Sequence, residues 1–300
     1  MRFETLGDRH LRRPSSCQLT ILTSHVGVVH DLKDCVIVVD DDRRAMWNAN
    51  AGSWTELSRG GFDVYCDLVN TPAFFAILPS VADCSGLDLG CGEGHNTRLL
   101  AERGANVVAL DIADAFVAAA AAVGRSRVRF VIADGATLPF ASGSFDFVTA
   151  FMSLMDVGDP ESTLREMQRV LKPDGFVQFS VVHPATATPI RRWVDDESGR
   201  REALAIGNYF SEGPITERWT FGAAPAEIRE RHEPFTVTYA RRTLTGWVNA
   251  VLAAGLSIEA IAEPHADEET ARDHPEVADT RIVPYFLILR ARKPLALNSS

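Results

Sequence analysis

The sequence has few cysteines, and their arrangement excludes two kinds of stabilised fold. There are five in 300 residues, an odd number at wide spacing with no C-x-x-C pair. A disulfide-bonded domain or a structural zinc site needs paired or closely spaced cysteines. We therefore expect free thiols and no metal site. The cysteines are Cys17, Cys35, Cys66, Cys84 and Cys91.

Excess positive charge and long hydrophobic runs are also absent. Lysine and arginine together number 30 against 40 aspartates and glutamates, which gives a formal net charge of −10. This balance disfavours a nucleic-acid-binding protein, which would carry a basic face. No apolar run reaches membrane-spanning length, and residues 19–29 are too interrupted by Thr, Ser and His for a signal peptide. We expect a cytoplasmic protein without nucleic-acid or membrane partners.

What the sequence does contain is a glycine-rich turn. Residues 86–94 read Gly-Leu-Asp-Leu-Gly-Cys-Gly-Glu-Gly, a short apolar run followed by glycines at alternate positions. Glycine lets a strand turn at once into a helix and lets the backbone approach a ligand closely. A helix that begins at His95 would add unpaired N–H groups. The turn therefore predicts a nucleotide-type binding loop.

Strand and helix patterns alternate on both sides of this turn. The alternation predicts an α/β fold, a doubly wound and mostly parallel sheet of seven strands with helices on both faces. The last apolar run, 283–291, suggests a strand inside the sheet rather than at its edge. The predicted strands are 86–89, 106–110, 128–133, 145–151, 176–182, 256–262 and 283–291.

Acidic residues mark three consecutive strands of this sheet. Asp88 belongs to the glycine turn, and Asp111 and Asp134 follow the next two strands. Ligands of doubly wound sheets bind beyond the carboxyl ends of the strands, and a carboxylate there can accept from both ribose hydroxyls. Asp134 is placed to accept from an adenine amino group. One such acid could be a simple turn former, but three in succession favour a ligand site.

The spacing of the glycines indicates which ligand. A dinucleotide loop reads G-x-G-x-x-G, whereas Gly90, Gly92 and Gly94 alternate here and Asp88 precedes them. An acid in that loop would repel a pyrophosphate. It would suit a ligand with an ammonium and a sulfonium group, whose carboxylate lies near the helix N–H groups.

Five motifs in order resemble those of class I S-adenosylmethionine-dependent methyltransferases, in particular the branch with ubiquinone/menaquinone-type and many small-molecule methyltransferases. The resemblance covers about residues 84–182, and the region 243–291 fits the family's closure of the sheet. It implies a Rossmann-like methyltransferase fold and S-adenosyl-L-methionine as methyl donor. The motifs are DLGCGEG at 88–94, VALDI at 108–112, ADGATLPF at 133–140, SFDFV at 144–148 and RVLKPDG at 169–175.

The resemblance also implies nine cofactor-binding residues. They are Asp88, Gly90, Cys91 and Gly92 for the amino-acid part, Asp111 for the ribose, Ile112, Asp134 and Gly135 for the adenine, and Phe151 for the methionine side. The sequence departs from the family after the fourth strand, where Leu154-Met155-Asp156 replaces the common Leu-His-His. Any role of those histidines is therefore not carried over.

A catalytic base is needed only if the acceptor must lose a proton. His183, at the end of the fifth predicted strand, is the candidate catalytic residue because a neutral imidazole suits deprotonation near pH 7. The alternative is that His183 only orients a loop. Asp156 and His232 are weaker candidates.

Two regions outside the core are expected to contact the acceptor. Aromatic residues at helical spacing predict a lid, and a Gly-, Pro- and aromatic-rich stretch predicts a cap. Trp193, Tyr209, Phe210 and Trp219 either line an apolar pocket or form the cap's own core. The expected segments are an appended or poorly ordered extension over 1–44, the lid over 45–80, the cofactor-binding core over 81–183, the cap over 184–240, completion of the core over 241–293 and a tail over 294–300.

The sequence therefore predicts an S-adenosylmethionine-dependent methyltransferase that acts on a small organic acceptor, with oxygen favoured over nitrogen and carbon as the methylated atom. Two alternatives stay open. One is a protein that binds the cofactor without methylating anything. The other is a nicotinamide-dependent oxidoreductase on a similar sheet.

Overall fold

The computed structural model describes residues 41–124 and 126–295. The predicted extension lies outside this part up to residue 40, and the predicted tail lies outside it from residue 296 on. Residues 41–44 begin helix α1 (Asp41–Arg59). Nη1 of Arg43 donates to the backbone oxygens of Asp156 (2.6 Å) and Thr238 (3.2 Å), which fixes this first turn. The helical lid therefore starts before Ala45.

Eleven strands occur in the described chain, and seven of them form one sheet. They are β1 (Ser85–Leu89), β2 (Asn106–Asp111), β3 (Val128–Ile132), β4 (Phe145–Phe151), β5 (Leu171–Val182), β6 (Ile190–Asp195), β7 (Arg201–Gly207), β8 (Gly213–Trp219), β9 (Phe235–Arg241), β10 (Ser257–Ala262) and β11 (Phe286–Arg292).

The seven-stranded sheet has the order β3-β2-β1-β4-β5-β11-β10. Strands β1 to β5 pair in parallel, whereas β11 pairs antiparallel with both β5 and β10. The direction of the strand order reverses between β1 and β4, and this switch point is where doubly wound sheets bind ligands. The predicted fold is confirmed, and β11 lies inside the sheet as its apolar sequence suggested.

Helices cover both faces of the sheet. In α5, the side chain of Asp159 accepts from the backbone N–H of Ser162 at 2.9 Å and Pro160 occupies the first turn, so both start signals are present. Its buried residues recur at helical spacing and pack on the sheet. The helices after α1 are α2 (Thr71–Ala76), α3 (His95–Glu102), α4 (Asp114–Val123), α5 (Pro160–Val170), α6 (Ala226–Arg229), α7 (Leu244–Ala253) and α8 (Glu268–Asp273).

Two irregular helical turns complete the described chain. A π-helical turn (Cys66–Asn70) leads directly into α2, and a 3-10 helix (Pro275–Arg281) precedes β11. None of the helices in the described ranges combines the length and the apolar character needed to cross a membrane.

The stretch after β5 forms two antiparallel hairpins, β6–β7 and β8–β9. Each is a separate two-stranded sheet without hydrogen-bonded pairing to the main sheet. The aromatic-rich region that the sequence predicts as a cap is therefore regular structure, and β9 leads back into the core through α7.

The core requires a glycine in the middle of β1. Gly86 is paired in register with Phe147 of β4, and a Cβ at Gly86 would lie 2.0 Å from Cζ of that ring. Phe147 is fully buried and stacks on Phe176 at 5.6 Å between ring centroids, so the ring cannot move aside. Strands β1 and β4 can thus approach only because position 86 has no side chain.

We expect Gly86→Ala to lower the free energy of unfolding by about 3 kcal/mol, because overpacking a rigid core is costly. Gly52→Ala is the matched control: Gly52 lies exposed in α1, and a Cβ there would meet no atom within 4 Å, so alanine should stabilise by about 0.5–1 kcal/mol. Denaturant unfolding measures both. Equal effects of the two substitutions would contradict this account of the β1–β4 contact.

Candidate functional site

A cavity of about 910 Å³ lies at the carboxyl ends of β1 to β5. Its volume is at the upper end of the range of small-molecule sites. The structure brings all nine predicted cofactor residues to its wall. They are Asp88, Gly90, Cys91, Gly92, Asp111, Ile112, Asp134, Gly135 and Phe151.

The glycine turn contributes bare backbone to the cavity. The N–H groups of Gly90 and Cys91 both donate to the carbonyl oxygen of Leu110, at 2.7 and 3.0 Å, so the turn is bonded to the end of β2. Gly90 has φ +70°, and a Cβ there would lie 2.3 Å from Cβ of Ser153. The Ser153 hydroxyl in turn donates to the carbonyl of Leu89 at 2.6 Å. Only glycine satisfies this backbone conformation and this contact.

Asp88 is buried beneath the turn. Its Oδ2 accepts from the Thr97 hydroxyl at 2.6 Å and its Oδ1 accepts from the Thr149 hydroxyl at 2.9 Å. Burial raises the pKa of this carboxyl, and the two hydroxyl donors oppose that rise. The side chain is therefore held in one orientation by neutral donors from α3 and β4.

Asp111 links the end of β2 to the glycine turn. Its Oδ2 accepts from the N–H of Gly92 at 2.8 Å and its Oδ1 accepts from the N–H of Ala113 at 2.9 Å. Burial raises the pKa of Asp111 to about 6, against the lowering effect of these N–H donors. A carboxylate has about four acceptor positions, more than the backbone donors fill, so Asp111 can still accept from a ligand.

Asp134 and Phe151 line the cavity from the ends of β3 and β4. Oδ1 of Asp134 accepts from the N–H of Ala136 at 2.9 Å, which leaves its other oxygen available. The Phe151 ring packs edge-on against Phe74 of the lid, with the centroids 5.2 Å apart. The lid and the ends of the strands thus form one continuous wall.

His183 lies outside this wall, although its neighbours Val182 and Thr186 line the cavity. Its Nδ1 accepts from the N–H of Ala185 at 3.1 Å, so Nε2 carries the hydrogen and donates to Oε1 of Glu263 at 2.7 Å. Burial lowers the pKa of His183, and the Glu263 carboxylate opposes this. Both ring nitrogens are therefore occupied in fixing the turn after β5, which corresponds to the structural alternative for this residue.

The two weaker candidates are placed differently. Asp156 lines the cavity, whereas His232 does not. Oδ1 of Asp156 is buried and has no hydrogen-bond partner within the described residues. Burial raises the pKa of this carboxyl well above its usual range, and the Arg43 guanidinium opposes the rise. Asp156 is thus a buried acid at the cavity wall without a full set of partners.

Aromatic side chains from α1 and from the hairpin β8–β9 also line the cavity. Trp54 contacts Trp219, Phe221 and Trp47 edge-on, with centroids 5.3, 5.2 and 5.7 Å apart. Trp193 of β6 also lines the cavity and lies under the Arg201 guanidinium at 4.6 Å.

Tyr209 and Phe210, which the sequence grouped with Trp193 and Trp219, do not line the cavity. The Tyr209 hydroxyl accepts from the N–H of Leu244, and the side chain of Phe210 is 86% exposed. Both residues belong to the connection between β7 and β8, where they pack on each other with centroids 5.1 Å apart.

Two carboxylates hold the hairpins and the nearby tyrosines in place. Asp279 accepts from the hydroxyls of Tyr65 (3.0 Å) and Tyr285 (2.8 Å) and pairs with Arg201 of β7. Glu217 of β8 accepts from Nη2 of Arg191 at 2.7 Å and from the Tyr239 hydroxyl at 3.0 Å. The ionic groups beside the aromatic side chains of the wall thus satisfy one another.

Two carboxyls of the lid, Asp63 and Asp67, also line the cavity and were not predicted from the sequence. Burial raises the pKa of Asp63 to about 6 and raises that of Asp67 as well. In the sequence, these two acids stand four residues apart within an otherwise apolar helical pattern, which puts them on one side of a helix. The aromatic residues of that pattern account for the segment as packing, so the pattern alone does not indicate a binding role for the two acids.

Comparison with known proteins gives a consistent family. A family described as "Methyltransferase domain" matches residues 87–179. A crystal structure of an S-adenosylmethionine-dependent methyltransferase from Mesorhizobium loti is 30% identical with a TM-score of 0.63, over 74% of this chain and 96% of that one.

Two curated relatives match over shorter stretches. Demethylmenaquinone methyltransferase of Clavibacter sepedonicus is 39% identical over 125 residues, 40% of this chain and 51% of that protein. Malonyl-[acyl-carrier protein] O-methyltransferase of Methylovorus sp. (strain MP688) is 35% identical over 172 residues, 54% of this chain and 57% of that protein. The chain therefore spans about half the length of these curated relatives.

This chain matches the Mesorhizobium protein over nearly the whole length of that protein. In this chain, the glycine turn and the strand-end acids line one cavity. On this evidence the chain belongs to the family of S-adenosylmethionine-dependent methyltransferases, whose methyl donor is S-adenosylmethionine.

Proposed function

We propose that this protein transfers the methyl group of S-adenosylmethionine to an oxygen atom of a small, largely apolar organic molecule. The observation that carries the proposal is the shared cavity, whose wall contains the glycine turn, the strand-end acids and a group of aromatic side chains. The 35% identity to a protein named as an O-methyltransferase favours oxygen as the methylated atom.

The residues present fit the donor. Eight carboxylate side chains and three arginines line the cavity, an arrangement that favours a cation and disfavours a pyrophosphate. When bound, S-adenosylmethionine supplies a methyl carbon attached to a positively charged sulfur. Asp111 would accept from the ribose hydroxyls, Asp134 and Gly135 would meet the adenine edge, and Ile112 would pack on the adenine face.

The remaining predicted residues would hold the other half of the donor. Asp88 and the bare backbone of Gly90, Cys91 and Gly92 would surround its amino-acid part, with Phe151 on the methionine side. The N–H groups at the start of α3 favour the donor's carboxylate there.

The aromatic part of the cavity wall, which includes Trp54, Trp193 and Trp219, would bind the acceptor. Its ionic groups are already paired with one another, so an acceptor gains contact there chiefly with aromatic faces. We assign uptake of a hydroxyl proton to Asp156 rather than to His183, because Asp156 lines the cavity with an unpartnered oxygen. Alignment of the acceptor in a dry cavity would supply much of the remaining rate.

Calorimetric titration tests the donor half of this proposal. We expect S-adenosylmethionine and S-adenosylhomocysteine each to bind with one-to-one stoichiometry. Methyl-labelled donor, incubated with a panel of small phenols and carboxylic acids, tests the acceptor half, and the label should appear on oxygen in the product. A folded sample that binds neither compound would overturn the proposal, and label on nitrogen or carbon alone would overturn the choice of oxygen.

The pH dependence of nucleoside binding tests Asp111. Its pKa lies near 6 in the described structure, and ribose hydroxyls donate to the ionised form. The affinity for 5′-deoxy-5′-methylthioadenosine should therefore rise as the pH increases through about 6 and level off above it. Asp111→Asn should bind about tenfold more weakly at pH 7.5, with a flat profile.

Asp114→Asn is the control for this measurement. Asp114 is a half-exposed acid three residues away that accepts from Asn48, so this variant should keep the wild-type profile. A flat wild-type profile, or an unchanged Asp111→Asn, would count against the ribose contact.

His183→Ala separates a structural from a catalytic histidine. Loss of its two side-chain hydrogen bonds should lower the free energy of unfolding by about 1–3 kcal/mol. The dissociation constant for S-adenosylhomocysteine should stay within about twofold of wild type, since the side chain does not line the cavity. Methyl transfer per folded molecule should also persist. If the variant keeps its stability but loses methyl transfer, His183 and not Asp156 would be the residue that takes up the proton.

A further inference from the structure

Three polar side chains of the lid line the cavity at intervals of four residues: Asp63, Asp67 and Thr71. The backbone between them is helical, with the N–H of Asp67 donating to the carbonyl of Asp63 at 2.9 Å. Tyr65 and Asn70 also have helical φ and ψ. Residues four apart lie on one side of a helix. We call this set the lid face.

The two acids of the lid face form no ion pair with the described residues. Within the described residues, no ion pair involves Asp63 or Asp67, and the hydrogen bond from the N–H of Cys66 to the Asp63 carboxyl is long at 3.4 Å. Asp67 lies close enough to raise the pKa of Asp63 further. The cavity wall thus holds two neighbouring acids without an ion pair in the described chain.

Thr71 supplies an independent indication of a ligand. The residue is only 8% exposed, and its Oγ1 is buried with no hydrogen-bond partner in the described chain. An unmade hydrogen bond in a buried place is costly. A ligand group at this wall would relieve it.

The lid face lies beside the glycine turn. Asp67 interacts electrostatically with His95 and Glu93, the residues on either side of Gly94. Glu93 is already paired with Arg59 at 2.7 Å and Arg98 at 3.0 Å. The attraction to His95 therefore offsets only part of the burial and repulsion that raise the pKa of Asp67, and no ion pair adds to it within the described residues.

We propose that the lid face binds the positively charged methionine part of the donor, with Asp63 and Asp67 attracting its ammonium and sulfonium groups and Thr71 adding a hydrogen bond. The inference rests on the proposed function. It gives the lid a binding role besides packing, because the cation would join the lid to the glycine turn.

Three ligands that share the adenosine part but differ in charge test this inference. S-adenosylmethionine carries an ammonium and a sulfonium, S-adenosylhomocysteine carries the ammonium alone, and 5′-deoxy-5′-methylthioadenosine lacks the amino-acid part. Calorimetry would compare wild type with Asp63→Asn, Asp67→Asn and Thr71→Val. We expect each Asn variant to bind S-adenosylmethionine about tenfold more weakly, S-adenosylhomocysteine less affected, and 5′-deoxy-5′-methylthioadenosine within twofold of wild type. Thr71→Val should show a smaller loss in the same order.

Asp273→Asn is the matched control, since it removes one negative charge from an exposed surface pair with Arg272 and should leave all three affinities unchanged. Thermal melting checks that each variant is folded; asparagine keeps the shape of the side chain and removes a buried charge.

Unchanged binding of S-adenosylmethionine in both Asn variants would overturn the inference, as would an equal loss for all three ligands. If wild type binds none of the three, the proposed function itself fails, and the inference fails with it.

Discussion

The site depends on two hydrogen bonds that join the glycine turn to the end of β2. The N–H groups of Gly90 and Cys91 share the carbonyl oxygen of Leu110, so the turn cannot move independently of the strand that carries Asp111. The Asp111 carboxylate then accepts from the N–H of Gly92. Turn and acid form one rigid unit, and rigid placement of a few polar groups is what a binding site requires.

Burial of acids at this unit has a cost that depends on pH. The pKa values of Asp63 and Asp111 are raised to about 6, chiefly by burial. The stability associated with these groups is fully present below their unfolded pKa, near 3.8, and is lost as the pH rises through about 6. At neutral pH the cavity thus holds acids that burial destabilises. Under the proposed function, a cationic donor would offset this destabilisation, and its binding would then stabilise the fold.

The sequence predicted the sheet well because its signals are local. Apolar runs bounded by glycine identify the strands, and the glycine turn with acids at successive strand ends predicts residues that the structure brings to one cavity. His183 was placed at the end of the right strand, but sequence position could not tell that Ala185 and Glu263 occupy its two nitrogens. That outcome depends on contact between β5 and a residue 80 positions away.

The hairpins that line the cavity were less predictable for a different physical reason. The hairpins β6–β7 and β8–β9 form sheets of their own, and they are held to the rest of the cavity wall by side-chain pairs such as Arg201 with Asp279. Such pairs join residues far apart in sequence and leave no periodic pattern.

The hairpins and the main sheet are separate in their hydrogen bonding, and this affects which residues can be substituted. The glycine turn and Asp111 are fixed by hydrogen bonds to the backbone of the main sheet and its turns. A substitution in that sheet, such as one at Gly86, disturbs the core. The hairpins can change in sequence and shape without breaking any pairing of that sheet. Aromatic residues such as Trp193 and Trp219 can therefore be exchanged for others while the glycine turn and Asp111 stay in place. Under the proposed function, a fold divided in this way keeps one methyl donor and admits many acceptors: the likeness in residues 87–179 concerns the donor, and the hairpins would select the acceptor.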